Sequence, residues 1–122
     1  MWYGLRRKTS ALLCCSARLG GMSANCTAAE LKALTAFGYN VGLAFQIIDD
    51  ILDITQTSEQ LGKTAGKDNA AQKATYPSIV GLEKSRKIAK QLTARAFDSL
   101  HVFRGKARAL EALATHLLHR DR

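Results

Sequence analysis

The chain has 122 residues, 47% of them hydrophobic, with a formal charge of +8, one proline and nine glycines. That size and composition allow one modest core and exclude disordered, collagen-like and disulfide-framework proteins. Scarce turn formers alongside abundant Ala, Leu, Lys and Arg favour helices over a sandwich of short strands, so the expected class is all-α.

Charge is unevenly spread, because acids and bases balance through residue 60 and the basic excess follows Leu61. Something anionic should meet that half, and nucleic acid, a membrane surface or a phosphorylated small molecule would each satisfy it. Cys14, Cys15 and Cys26 have no CxxC spacing and no neighbouring His pair, which argues against a zinc site and for a reducing compartment. Adjacent Cys14 and Cys15 in an apolar run read as small buried side chains. The opening MWYGLRRKTSALLCCSA has the outline of a signal peptide, yet its apolar core ALLCC is too short for one. The expected location is cytoplasmic, with organelle targeting the lesser alternative because no acid precedes Glu30. No segment approaches the roughly 20 apolar residues that span a bilayer, so no stable membrane insertion is expected.

In chain order, apolar residues recur at helical spacing from Leu5 to Leu19, and the Gly20 and Gly21 pair is expected to end that helix. The next start signal is TAAE, Thr27 to Glu30, a capping box in which hydroxyl and carboxylate satisfy orphan N–H groups reciprocally. A helical pattern then runs to about Thr57, apolar on most sides, as suits the middle of a bundle. From Ser58 to Thr75 the periodicity fails, and a loop of that length tends to be functional. Pro77 suits the first turn of another helix. After Gly81 an amphipathic helix carries Leu82, Ile88, Leu92, Phe97 and Leu100 and runs to Phe103. Gly105 breaks it, and ARALEALATHLLHR forms a short terminal helix. His101, His116 and His119 have no carboxylate or cysteine partners in the pattern and read as packing or surface residues.

The chemistry concentrates in GLAFQIIDDILD, Gly42 to Asp53. On a helix, Gln46, Asp49, Asp50 and Asp53 fall within an arc of roughly 100°, which Thr35, Tyr39 and Gly42 extend upstream. The other positions are apolar, leaving a narrow acidic seam in a greasy surface. A solvated face would offer Lys or Arg three or four positions away, but the residues four along are Asp53, Ile54 and Thr57. A divalent cation relieves the clustered charge. Carboxylates with no thiolate or imidazole nearby suit Mg2+, or Mn2+, which binds one or two carboxylates together with phosphate oxygens. Lys63, Lys67 and Lys73 follow closely enough to neutralise the rest of a diphosphate.

GLAFQIIDDILD, followed by LGKTAGKD and QKATYP, resembles the second aspartate-rich motif and following loop of the trans-type short-chain polyprenyl diphosphate synthases. The nearest likeness is to farnesyl diphosphate synthases, then to geranylgeranyl diphosphate synthases. RRKTSALLCCSARLGGMSA looks like the Lys-Thr helix of that family, and the likeness runs from about Leu5 to the end. It implies that Asp49 and Asp50 bind Mg2+, with Asp53 supporting the site directly or through water. Lys8 and Lys63 would contact the allylic diphosphate, supplemented by Lys73. Thr9 and Gln46 match positions that orient substrate near the forming cation, and Phe45 matches a residue beside the isopentenyl chain. The implied activity is head-to-tail prenyl transfer, in which an allylic diphosphate such as dimethylallyl or geranyl diphosphate ionises, the double bond of isopentenyl diphosphate attacks the resulting cation, and the adduct loses a proton.

The same resemblance implies the C-terminal helices of the isoprenoid synthase bundle and a homodimer in intact members. No other acidic pair precedes Asp49, and the earlier aspartate-rich helix of the family has no counterpart here. Residues 1–122 therefore read as a single incomplete domain, expected to be inactive by itself. Two other readings remain: a non-catalytic partner subunit, and a basic helical nucleic-acid module built on EKSRKIAK. The second lacks stacking aromatics and any DNA-binding motif, so no nucleic-acid partner is expected.

Overall fold

The computed structural model describes the backbone of residues 2–61, 77 and 80–119 and the side chains of 8–55, 77 and 80–119. The elements are α1 (Trp2–Ser23), α2 (Ala28–Leu61), α3 (Leu82–Ser99), a 3-10 turn (Leu100–Phe103) and α4 (Arg108–Leu118). No strand occurs among the described residues, as an all-α chain requires.

The glycine pair does not end α1. The helix continues through Gly20 and Gly21 to Ser23 and stops in a Schellman corner. Asn25 takes the left-handed conformation there, with φ 58°. Its N–H donates to the Met22 carbonyl, and the Cys26 N–H donates to that of Gly21, both at 3.0 Å. Gly21 answers a packing need instead, since a Cβ at that position would stand 2.5 Å from Leu34 Cδ1 of the next helix. The capping box forms as the sequence expects. The Thr27 N–H donates to Glu30 Oε1 at 2.9 Å, and the Glu30 N–H donates to Thr27 Oγ1 at 3.1 Å.

The 34-residue α2 is the central element, packed by α1, α3, the 3-10 turn and α4. Phe37, Val41, Ala44, Ile47 and Ile51 recur at steps of three and four, so they line one face. That face meets Ala89, Leu92 and Ala96 of α3, then Leu100, Ala107, Ala114 and Leu118. Alanines on α3 let it lie close to α2, and the buried Ser85 hydroxyl is satisfied by donating to the Gly81 carbonyl at 2.8 Å. The α-helical part of α3 ends at Ser99, four residues before the expected end, and tightens into the 3-10 turn. Positive φ at Arg104 and Gly105 then turns the chain into α4.

One expectation about membranes is corrected. Over Ala28–Thr55, α2 is long and apolar enough to cross a bilayer by length and composition, with a hydropathy of 1.2. Its polar residues are dispersed between apolar ones, which hides the length from a search for an apolar run. In this fold 39% of an 18-residue stretch of it is buried, and its Val41, Ala44 and Ile47 belong to the core.

Candidate functional site

From the Asn25 corner α1 and α2 run antiparallel, and a ladder of contacts fixes their register. Arg18 Nη1 donates to Thr35 Oγ1 at 2.9 Å, and Cys14 Sγ donates to the Thr35 carbonyl at 3.2 Å. Gly38 then lies against the Cys14 backbone, and Gly42 lies against Ser10. At the next step Thr9 Oγ1 donates to Gln46 Oε1 at 3.3 Å, joining residues 37 apart in sequence. One helical turn beyond Gln46 come Asp49 and Asp50, then Asp53.

The structure thus brings Thr9 and Gln46 together and sets Lys8 beside them, exposed, on α1. Asp50 is buried at 6% exposure, Asp49 is half-buried and Asp53 is exposed, so the acidic arc runs from the interior to the surface. Each of the three takes part in an interaction with its surroundings, as does Phe45, which packs on the edge of the core. The upstream part of the arc needs correction. Gly42 is buried against α1, and Thr35 holds Arg18, so only Tyr39, half exposed, continues an open seam. Lys63, Lys67 and Lys73 lie outside the described residues. Sequence reasoning missed Ser10 and Gly38, whose signal was the matched spacing of four between small residues on both helices.

The chemistry of the donors fits a hard divalent cation, since Asp49, Asp50 and Asp53 offer carboxylate oxygens and the arc holds no thiolate or imidazole. Among the described residues no three of His, Cys, Asp and Glu converge into a cage, so the aspartates do not form a closed site by themselves. Magnesium needs no such cage, because it retains waters and takes substrate oxygens. Farther along α1, burial pushes the Cys14 thiol above its ordinary value of 9.0, and the nearby Arg18 opposes this in part.

A sequence profile described as polyprenyl synthetase matches residues 4–110. The chain belongs to the polyprenyl synthetase family. A chloroplastic heterodimeric geranylgeranyl pyrophosphate synthase large subunit of Arabidopsis thaliana is 48% identical over 115 residues, 93% of this chain and 31% of the relative. A chloroplastic geranylgeranyl pyrophosphate synthase of Capsicum annuum is 46% identical, covering 93% of this chain and 31% of the relative. Among solved structures, a candidate farnesyl-diphosphate synthase from Marinomonas sp. superposes with a TM-score of 0.74 at 31% identity. That match covers 91% of this chain and 36% of the other. This polyprenyl synthetase chain spans about a third of the length of the curated relatives it matches.

Proposed function

We propose that this chain carries one side of a prenyl-transfer site, the side that receives an allylic diphosphate for head-to-tail condensation with isopentenyl diphosphate. The observation that supports it best is the pairing of Thr9 with Gln46, one turn from Asp49 and Asp50. Two polar groups from distant parts of the chain meet beside a carboxylate cluster, at the edge of an apolar core. Lys8 supplies positive charge for the diphosphate at the same level of α1, with Lys63 and Lys73 as its partners from the segment after α2. Thr9 and Gln46 orient the substrate near the forming cation, and Phe45 gives the isopentenyl chain an aromatic wall. Asp49 and Asp50, with Asp53 in support, would hold Mg2+ or Mn2+, which would supply positive charge against the departing diphosphate. The apolar positions around the seam keep water from the cation.

The plant relatives named above favour a geranylgeranyl-type product over the farnesyl product that the sequence reading put first. Their chloroplastic names favour an organelle location over the cytoplasm. One of them is a heterodimeric subunit, which makes association with another family member as reasonable as a homodimer.

Calorimetric titration with pyrophosphate in the presence and absence of Mg2+ tests the reading. Binding should require the metal and weaken at least about tenfold in Asp49→Asn and Asp50→Asn, as loss of charge-assisted contacts implies. Unchanged binding in both variants overturns it. Salt-sensitive oligonucleotide binding that persists in both would favour the nucleic-acid module instead.

A further inference from the structure

The α1–α2 interface is tightest between Ser10 and Gly42. A Cβ on Gly42 would lie 2.7 Å from Ser10 Cα, 2.8 Å from its Oγ and 3.2 Å from its Cβ, where ordinary contacts begin at 3.4 Å. The nearest of those atoms is backbone and cannot rotate away, so any side chain at residue 42 would push the helices apart by several tenths of an ångström. An independent feature marks the same point. Ser10 is 2% exposed, and among the described residues its Oγ has no hydrogen-bond partner, a cost that folded proteins rarely carry.

Immediately next to this contact stands the Thr9–Gln46 hydrogen bond. At 3.3 Å it is long for a hydroxyl donor, so little further separation is needed to lose it. Ser10 follows Thr9 directly, and Gly42 lies one turn before Gln46 on the same face of α2. We infer that Gly42 is a positioning residue for this site: its contact with Ser10 sets the helix separation at which Thr9 reaches Gln46. The geometric part stands on the structure alone, and only the consequence for diphosphate binding rests on the function proposed above. Gly42 touches no substrate in this scheme and acts through Thr9 and Gln46.

The test is a pair of double-mutant cycles on the 122-residue chain. Thr9→Val and Gln46→Leu are combined in the wild-type background and again with Gly42→Ala, and stability is read from urea unfolding midpoints. Thr9 and Gln46 should be coupled in the first background and additive in the second. Coupling that survives Gly42→Ala at its wild-type size overturns the inference. Should Gly42→Ala fail to fold, Ser10→Thr adds one methyl to the same contact from the other helix and must also reduce the coupling. In parallel, Gly42→Ala should weaken Mg2+-dependent pyrophosphate binding about fivefold, with no further loss on adding Thr9→Val. Equal losses from Thr9→Val in both backgrounds count against positioning. If the wild-type chain binds no pyrophosphate, the proposed function fails, while the stability cycles still decide the role of Gly42.

Discussion

Cys14 and Cys15 are sequence neighbours with different surroundings. Read from the sequence both are small buried side chains, yet consecutive helical residues point about 100° apart and need not be buried alike. Cys14 is half-buried with its thiol donating to the Thr35 carbonyl, whereas Cys15 is exposed. Alkylation by iodoacetamide followed by mass spectrometry should therefore modify Cys15 well before Cys14. The raised Cys14 value also makes stability depend on pH. Because the folded thiol loses its proton less readily than the unfolded one, its contribution is complete below pH 9.0 and is lost as pH rises through the folded value. The alkaline fall in the unfolding midpoint should be smaller in Cys14→Ser, which keeps a donor and does not titrate in that range. The acidic arc repeats the lesson. Spacing placed Asp49, Asp50 and Asp53 on one side of a helix, but which is buried depends on the neighbours of α2, and the sequence does not state those.

Elements were legible where a local signal has a single meaning. The Thr27 and Glu30 box announced the start of α2 and forms as expected, so Thr27→Ala should cost about 1 kcal/mol in urea unfolding. Apolar spacing marked α2 as greasy on most sides without singling out the face that packs, which the structure sets at Phe37, Val41, Ala44, Ile47 and Ile51. Ile47 is 2% exposed at its centre, and Ile47→Ala should cost about 2–5 kcal/mol through lost burial and the cavity left behind. Gly20 and Gly21 were ambiguous, because glycine serves both a helix stop and a close helix contact. The stop fell to Asn25, and Gly21 took the contact with Leu34. Gly42 carried the same ambiguity on α2: it looked like part of a polar arc because it has no side chain to say otherwise.

At the scale of the molecule, the one acidic cluster of this sequence sits on a helix of which much remains uncovered. Leu12 and Leu19, 68% and 58% exposed, add apolar surface on α1. The proposed site would need charge and walls on both sides of its two diphosphates, and these 122 residues offer a single aspartate-rich motif. The purified chain, given geranyl diphosphate, isopentenyl diphosphate and Mg2+, should yield negligible prenyl product in a radiolabel extraction assay. Sustained turnover would show that one motif suffices. The order Lys-Thr, FQxxDDxxD, Gly-Lys made the family legible, because the spacing of chemically demanding residues survives where helix ends and burial do not declare themselves.

The Asn25 corner has a kinetic consequence. Contacts beside it, such as Cys26 with Gly21 and Arg18 with Thr35, close short loops, whereas Thr9 and Gln46 must close one more than twice as long. Loop-closure entropy alone predicts that zipping starts at the corner and reaches the carboxylates last. Amide hydrogen exchange should be slowest in α2 between Leu34 and Val41 and faster toward Asp53, and pyrophosphate with Mg2+ should slow it most at that far end.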